Sequence, residues 1–84
     1  MKENIKIEKQ DDKIKIFVDN IFIGSLFFQK NKHQLYWSIE DKEGNIENHL
    51  TNMINATKEI FKKAFPSTYL NYSWYYNNEF EENK

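Results

Sequence analysis

Eighty-four residues without a cysteine make one small domain, with neither disulfides nor thiolate metal ligands to support it. A formal charge of −1 excludes a strongly basic nucleic-acid binder and equally a polyanionic mimic. The 12 basic residues are all lysine, so bidentate recognition of phosphate, carboxylate or guanine by arginine is unavailable.

The chain opens Met1-Lys2-Glu3-Asn4, with no signal peptide and no apolar run long enough to span a membrane, so a cytoplasmic location is expected. From Asn4 to Lys9 the residues alternate, with Ile5 and Ile7 apolar, and Gln10-Asp11-Asp12 forms a turn. Lys13 to Val18 alternates again and is rich in β-branched residues. Asp19-Asn20 is a two-residue turn whose side chains tolerate the positive φ of a type I′ hairpin. Ile21 to Gln29 makes the third strand, Lys30-Asn31-Lys32 breaks it, and His33 to Glu40 makes the fourth. The fold class is α+β, an antiparallel four-stranded meander.

Register follows from loop length. A two-residue loop at Asp19-Asn20 pairs Val18 with Ile21, Phe17 with Phe22 and Ile16 with Ile23. One face then collects Ile14, Ile16, Val18, Ile21, Ile23 and Phe27, joined by Ile5 and Ile7. An odd loop after the third strand, with Asn31 left-handed, adds Leu35, Trp37 and Ile39. The other face carries Phe17, Phe22, Leu26, Phe28 and Tyr36, interrupted by Lys13, Lys15, Gly24, Gln34 and Ser38. Such an aromatic patch, of roughly several hundred Å², exceeds what a soluble monomer usually leaves bare.

After Asp41-Lys42-Glu43-Gly44 the period changes. Ile46, Leu50, Met53, Ile54, Thr57, Ile60, Phe61, Ala64 and Phe65 fall on one helical stripe, which packs across the first sheet face. Asn45 is the expected N-cap, Glu47 suits the first turn, Lys62 and Lys63 the last, and Pro66 ends the helix. Thr68 to Tyr76 alternates as Leu70, Tyr72, Trp74 and Tyr76, which favours a fifth, C-terminal strand. A short helix joining Leu70 to Trp74 is the alternative. The domain is expected over residues 1–76, with 77–84 as a polar tail.

No catalytic constellation stands out, so an enzyme is not expected. His33 and His49 read as surface residues, and the pairs Asp11-Asp12 and Glu81-Glu82 lie in a turn and a tail with nothing apolar to shift a pKa. No metal site and no cofactor is expected, and two glycines, Gly24 and Gly44, cannot make a phosphate-cradling loop. Gly24 reads as a small residue beneath a neighbour or as a bulge.

The expected function is a non-enzymatic interaction module that binds a protein partner through Phe17, Phe22, Leu26, Phe28, Tyr36, Tyr72, Trp74 and Tyr76. A homodimer through the second sheet face would cover the same patch, as would the C-terminal segment folding over it. Small size and a Lys-, Asn- and Ile-rich composition, typical of AT-rich genomes, fit a phage or mobile-element inhibitor of a host defence protein. One alternative is a binder of nucleotide-like ligands, in a pocket lined by Trp37, Trp74 and tyrosines. Another is a single-stranded nucleic-acid binder, stacking bases on Phe17, Phe22, Phe28 and Tyr36 between Lys13, Lys15, Lys30 and Lys32.

Overall fold

A computed structural model describes residues 4–30 and 35–77. Asn31, Lys32, His33, Gln34 and the tail from 78 onward, with Glu81-Glu82, lie outside the described residues, as does the side chain of His49. The architecture is α+β: an antiparallel sheet in the order β1 (Ile5–Gln10), β2 (Lys13–Val18), β3 (Ile21–Lys30), β4 (Leu35–Asp41) and β5 (Ile46–Leu50). It is followed by α1 (Met53–Ala64), a 3-10 turn at Tyr69–Tyr72 and a single-turn α2 (Ser73–Tyr76).

The turns follow local chemistry. Asp19 and Asn20 both take positive φ, 52° and 69°, as the type I′ hairpin between β2 and β3 requires. Between β4 and β5 the Asp41 carboxylate accepts the backbone N–H of Glu43 at 2.9 Å and of Asn45 at 3.0 Å, and Gly44 supplies φ 89°. These bonds, Asn45's first, hold the Asp41 carboxyl below the usual carboxylate range.

Between β2 and β3 the register departs from the expected one at a single point. Val18 pairs with Ile21 and Phe17 with Phe22, but Ile16 pairs with Gly24 rather than Ile23. Ile23 is the extra residue of a β-bulge, and the rest of β3 is rotated to the opposite face. Leu26 and Phe28 therefore turn to the helix side and Phe27 to the open side. The next connection contributes a second parity change. Lys30 pairs with Leu35, so the loop between them has an even number of residues rather than the odd number expected. The two changes cancel in β4, where Trp37 and Ile39 lie on the core face as expected, opposite Phe28 and Leu26.

Two further expectations are corrected. Residues 46–50 form an edge strand, with Ile46 paired to Glu40 and Leu50 to Trp37, rather than the start of the helix. Asn45 is consequently a turn residue and Glu47 a strand residue, which reaches Lys63 of α1 at 3.3 Å. The helix begins seven residues, about two turns, later than a continuous stripe implies. Its N-cap is Asn52, whose side chain accepts the Asn55 N–H at 2.8 Å. The second correction concerns the C-terminal segment. Tyr69–Tyr76 is helical, not a strand, so the sheet's fifth strand precedes α1 instead of ending the chain.

The helix side holds the core. Ile16, Val18, Ile23, Leu26 and Ile39 of the sheet meet Ala56, Ile60 and Phe61 of α1 and Tyr72, Tyr75 and Tyr76 of the C-terminal segment. Lys62 and Lys63 occupy the last turn of α1, and Phe65 with Pro66 closes it, the Phe65 N–H bonding the Phe61 carbonyl at 2.7 Å. Inside this core Thr57 is fully buried, and its hydroxyl makes no hydrogen bond among the described residues. Thr57→Val keeps the shape and removes the unpaired group, so it should stabilise the domain by about 1 kcal/mol. The urea midpoint should rise at constant slope; an unchanged or lower midpoint refutes the assignment.

Candidate functional site

Both α1 and the C-terminal segment lie on the Gly24 side of the sheet. The opposite face is built from β2 through Lys13, Lys15 and Phe17, from β3 through Phe22, Ser25, Phe27 and Gln29, and from β4 through Tyr36, Ser38 and Glu40. Phe17, Phe22, Phe27 and Tyr36 are each partly exposed. At the hairpin end the Phe17 and Phe22 rings sit 5.7 Å apart in a tilted pair. At the centre Lys13 lies over the Phe27 ring at 5.3 Å and reaches Glu40 at 2.8 Å. Toward β5, the Ser38 hydroxyl donates to the Asn48 side-chain oxygen Oδ1 at 2.7 Å, and the Gln29 side-chain amide donates to the Ser38 hydroxyl at 3.2 Å. Ile46, 56 % exposed, is the apolar residue at the β5 rim.

Small and large side chains alternate across this face. Ser25 and Ser38 are buried between the bulky neighbours, leaving a depression of about 450 Å³ over Lys13, Lys15, Phe22, Ser25 and Glu40, walled by the Asp41–Gly44 turn. Lys13 is neutralised by Glu40. Lys15, opposite Glu8 of β1, is partly buried and makes no ion pair among the described residues; Lys42 of the turn is a second such cation at the depression, but it is exposed, and Asp41 and Glu43 lie beside it.

The expected partner-binding residues divide between the two sides. Phe17, Phe22 and Tyr36 share the open face. Leu26 is fully buried beneath the helix, and Phe28 stands on the helix side, edge-on to Trp37 with ring centroids 5.1 Å apart. Both were expected on the open face; the bulge at Ile23 moves them. Tyr72 and Tyr76 are buried against Phe61, and Trp74 packs edge-on to Tyr75. Burial pushes the Tyr76 phenol above its ordinary pKa, and its hydroxyl donates to the Tyr69 carbonyl at 3.3 Å. The C-terminal aromatics are thus core, not a cover for the second face. Phe27, Gln29 and Asn48 join the face unannounced, because only the bulge and the fifth strand bring them there.

Between the sheet and the C-terminal segment, a cavity of about 300 Å³ is lined by Val18, Ile21, Ile23, Ala64, Phe65 and Tyr72, together with Asp19 and Lys42. Neither Trp37 nor Trp74 lines it. Among the described residues no three His, Cys, Asp or Glu side chains converge as a metal site would require, and no helix is long and apolar enough to cross a membrane.

Known proteins offer no match. No family model fits the chain, and no curated protein or solved structure is similar to it.

Proposed function

We propose that the protein is a non-enzymatic interaction module whose open sheet face docks a protein surface presenting a carboxylate among apolar side chains. The observation that carries this reading is the unpaired, partly buried Lys15 beside the Ser25 depression, framed by Phe17, Phe22 and Phe27. An unpaired cation among partly exposed aromatic rings gains most from a carboxylate brought with its own apolar surroundings. Rigid aromatic rings supply contact area at little entropic cost, which is what a docking face of this size needs. Small size and AT-rich composition favour, as its role, direct inhibition of a host protein by a phage or mobile element.

The test compares proteins retained from cell extract by the native chain and by three variants. Lys15→Glu and the pair Phe17→Ser/Phe27→Ser alter the face, and Lys58→Glu alters the helix surface. A partner of the proposed kind is retained by the native chain and by Lys58→Glu. Its affinity should fall by about 100-fold with either face change, the loss of one or two anchor contacts. Lys15→Glu should stay within about 1 kcal/mol of the native stability, whereas the double Phe change should cost about 2–4 kcal/mol because both rings are largely buried, so retention is compared where circular dichroism shows every variant folded. Retention that survives both face changes would sink the reading. So would salt-weakened binding of a single-stranded oligonucleotide that both face changes abolish.

A further inference from the structure

The first strand has one free edge. β1 pairs with β2 and is the outermost strand of the sheet. Which of its backbone groups face outward follows from the turn. Gln10 and Lys13 flank a two-residue loop and pair directly, and the Asn4 carbonyl accepts the Asp19 N–H at 2.8 Å. Even-numbered residues of β1 therefore bond to β2, and alternation turns the N–H and C=O of Ile5, Ile7 and Lys9 outward. Native proteins blunt such edges, because a bare one templates pairing with another chain. Here the blunting charges alternate in sign. Lys6 and Glu8 lie on the open face, two residues apart; Lys6 stands opposite Phe17 and Glu8 opposite Lys15 of β2, and neither makes an ion pair among the described residues. Ile7, between them on the helix side, is 36 % exposed.

We infer that β1 pairs antiparallel with β1 of a second copy, across a two-fold axis at Ile7, joining the two sheets into one of ten strands. The occupant is read from the register. With Ile7 opposite Ile7 of the second copy, the outward groups of Ile5, Ile7 and Lys9 meet those of Lys9, Ile7 and Ile5. Lys6 then faces Glu8 of the second copy and Glu8 faces its Lys6. These fall at the non-hydrogen-bonded positions, where opposed side chains approach most closely. Sliding by two residues in one direction sets Lys6 against Lys6; sliding in the other sets Glu8 against Glu8. A slide of one residue sets the outward groups of one copy against residues whose groups are already bonded to β2. The charge pattern therefore selects one register, and that register is self-complementary, as an isologous contact must be. The pairing places the two open faces side by side and leaves Lys15 of each uncovered, so it stands independently of the function proposed above.

Sedimentation equilibrium on the native chain and three charge variants tests the pairing. The native chain should dimerise, and Lys6→Glu and Glu8→Lys should each weaken the dimer by about tenfold, since each sets like charges opposite. The double change Lys6→Glu/Glu8→Lys should restore it. An equimolar mixture of the two single variants should associate as the native chain does, because every opposed pair is then unlike. Ile7→Pro, which removes an outward N–H and spares every bond to β2, should give a folded monomer. A native chain that stays monomeric up to about 0.5 mM, weaker than any specific pairing of use here, overturns the inference. So does a dimer indifferent to the charge reversals, which would point to the open sheet face instead.

Discussion

Phe61→Ala is expected to cost about 3–5 kcal/mol, a large part of the roughly 4–12 kcal/mol available to a domain of this length. Phe61 is fully buried and is the hub of the aromatic cluster. Its ring lies 5.0 Å from that of Tyr72, 5.8 Å from Tyr76, 6.0 Å from Tyr75 and 6.3 Å from Phe65. Such ring pairs add about 0.5–1.5 kcal/mol each beyond the area they bury, so truncation removes more than one side chain's transfer energy. The 3-10 turn and α2 are too short to hold their shape without tertiary contacts. Their attachment runs through Phe61 and, by a stacked contact at 5.0 Å, through Phe65 and Tyr72. Because the alanine variant approaches the unfolding threshold, Phe61→Leu, at about 1–2 kcal/mol, is the better probe of mechanism. In that variant the amides of Tyr69–Tyr76 should exchange with solvent well before those of β2 to β4. Equal protection of both regions, or a cost below about 1.5 kcal/mol for the alanine variant, would show that Phe61 does not anchor the C-terminal segment.

The dependence on Phe61 also explains why the last segment reads ambiguously from sequence. Leu70, Tyr72, Trp74 and Tyr76 alternate as a strand would, yet Tyr72, Tyr75 and Tyr76 are the residues that end up buried. That spacing belongs to a helical turn docked on α1, and no local signal announces a docking surface about ten residues upstream. Ile46 and Leu50 present the converse case. Their separation of four residues fits the α1 stripe and extends it smoothly. In the fold they lie on opposite faces of β5, with Ile46 beside Glu40 and Leu50 beside Trp37. The unpaired edge of β4 offers hydrogen bonds that a longer helix would forgo, and Asn52 stands ready as the cap of the shorter one.

The strands themselves were legible because alternation and turn chemistry agree. The candidate site was less so, since which side chains share a face depends on parity and one inserted residue inverts it. Phe17, Phe22 and Tyr36 are correctly grouped because they lie before the bulge or beyond both parity changes. Leu26 and Phe28 lie between the two and are misplaced, with Phe27 taking their role. A hint was present in Gly24, a glycine within an otherwise β-branched and aromatic strand, which marks a bulge or a close approach.

Gly24 is both, and the second large effect follows from it. A Cβ added there would stand 2.9 Å from Ile60 Cγ2 and 3.1 Å from the Glu40 carbonyl oxygen, with the backbone at φ +155°. The carbonyl belongs to the neighbouring strand and cannot move without disturbing the β3–β4 ladder. The Ile60 methyl sits on a β-branched side chain with one favoured rotamer in a helix, so it cannot swing away. Relief requires α1 to lift from the sheet, which loosens Ile16, Leu26 and Ile39 together. Gly24→Ala should therefore destabilise the domain by about 2–3 kcal/mol, equivalent to roughly 10–20 °C in melting temperature at this size. Ile60→Ala alone leaves a cavity and costs about 2–4 kcal/mol, but it vacates the space the new methyl needs. The double variant should thus be more stable than the sum of the singles by about 1–2 kcal/mol, a coupling of the size found between residues in contact. Additive losses would mean that Gly24 is required for the shape of the bulge alone. A Gly24→Ala variant within about 0.5 kcal/mol of the native chain would mean that helix and sheet are not as close as this geometry holds them.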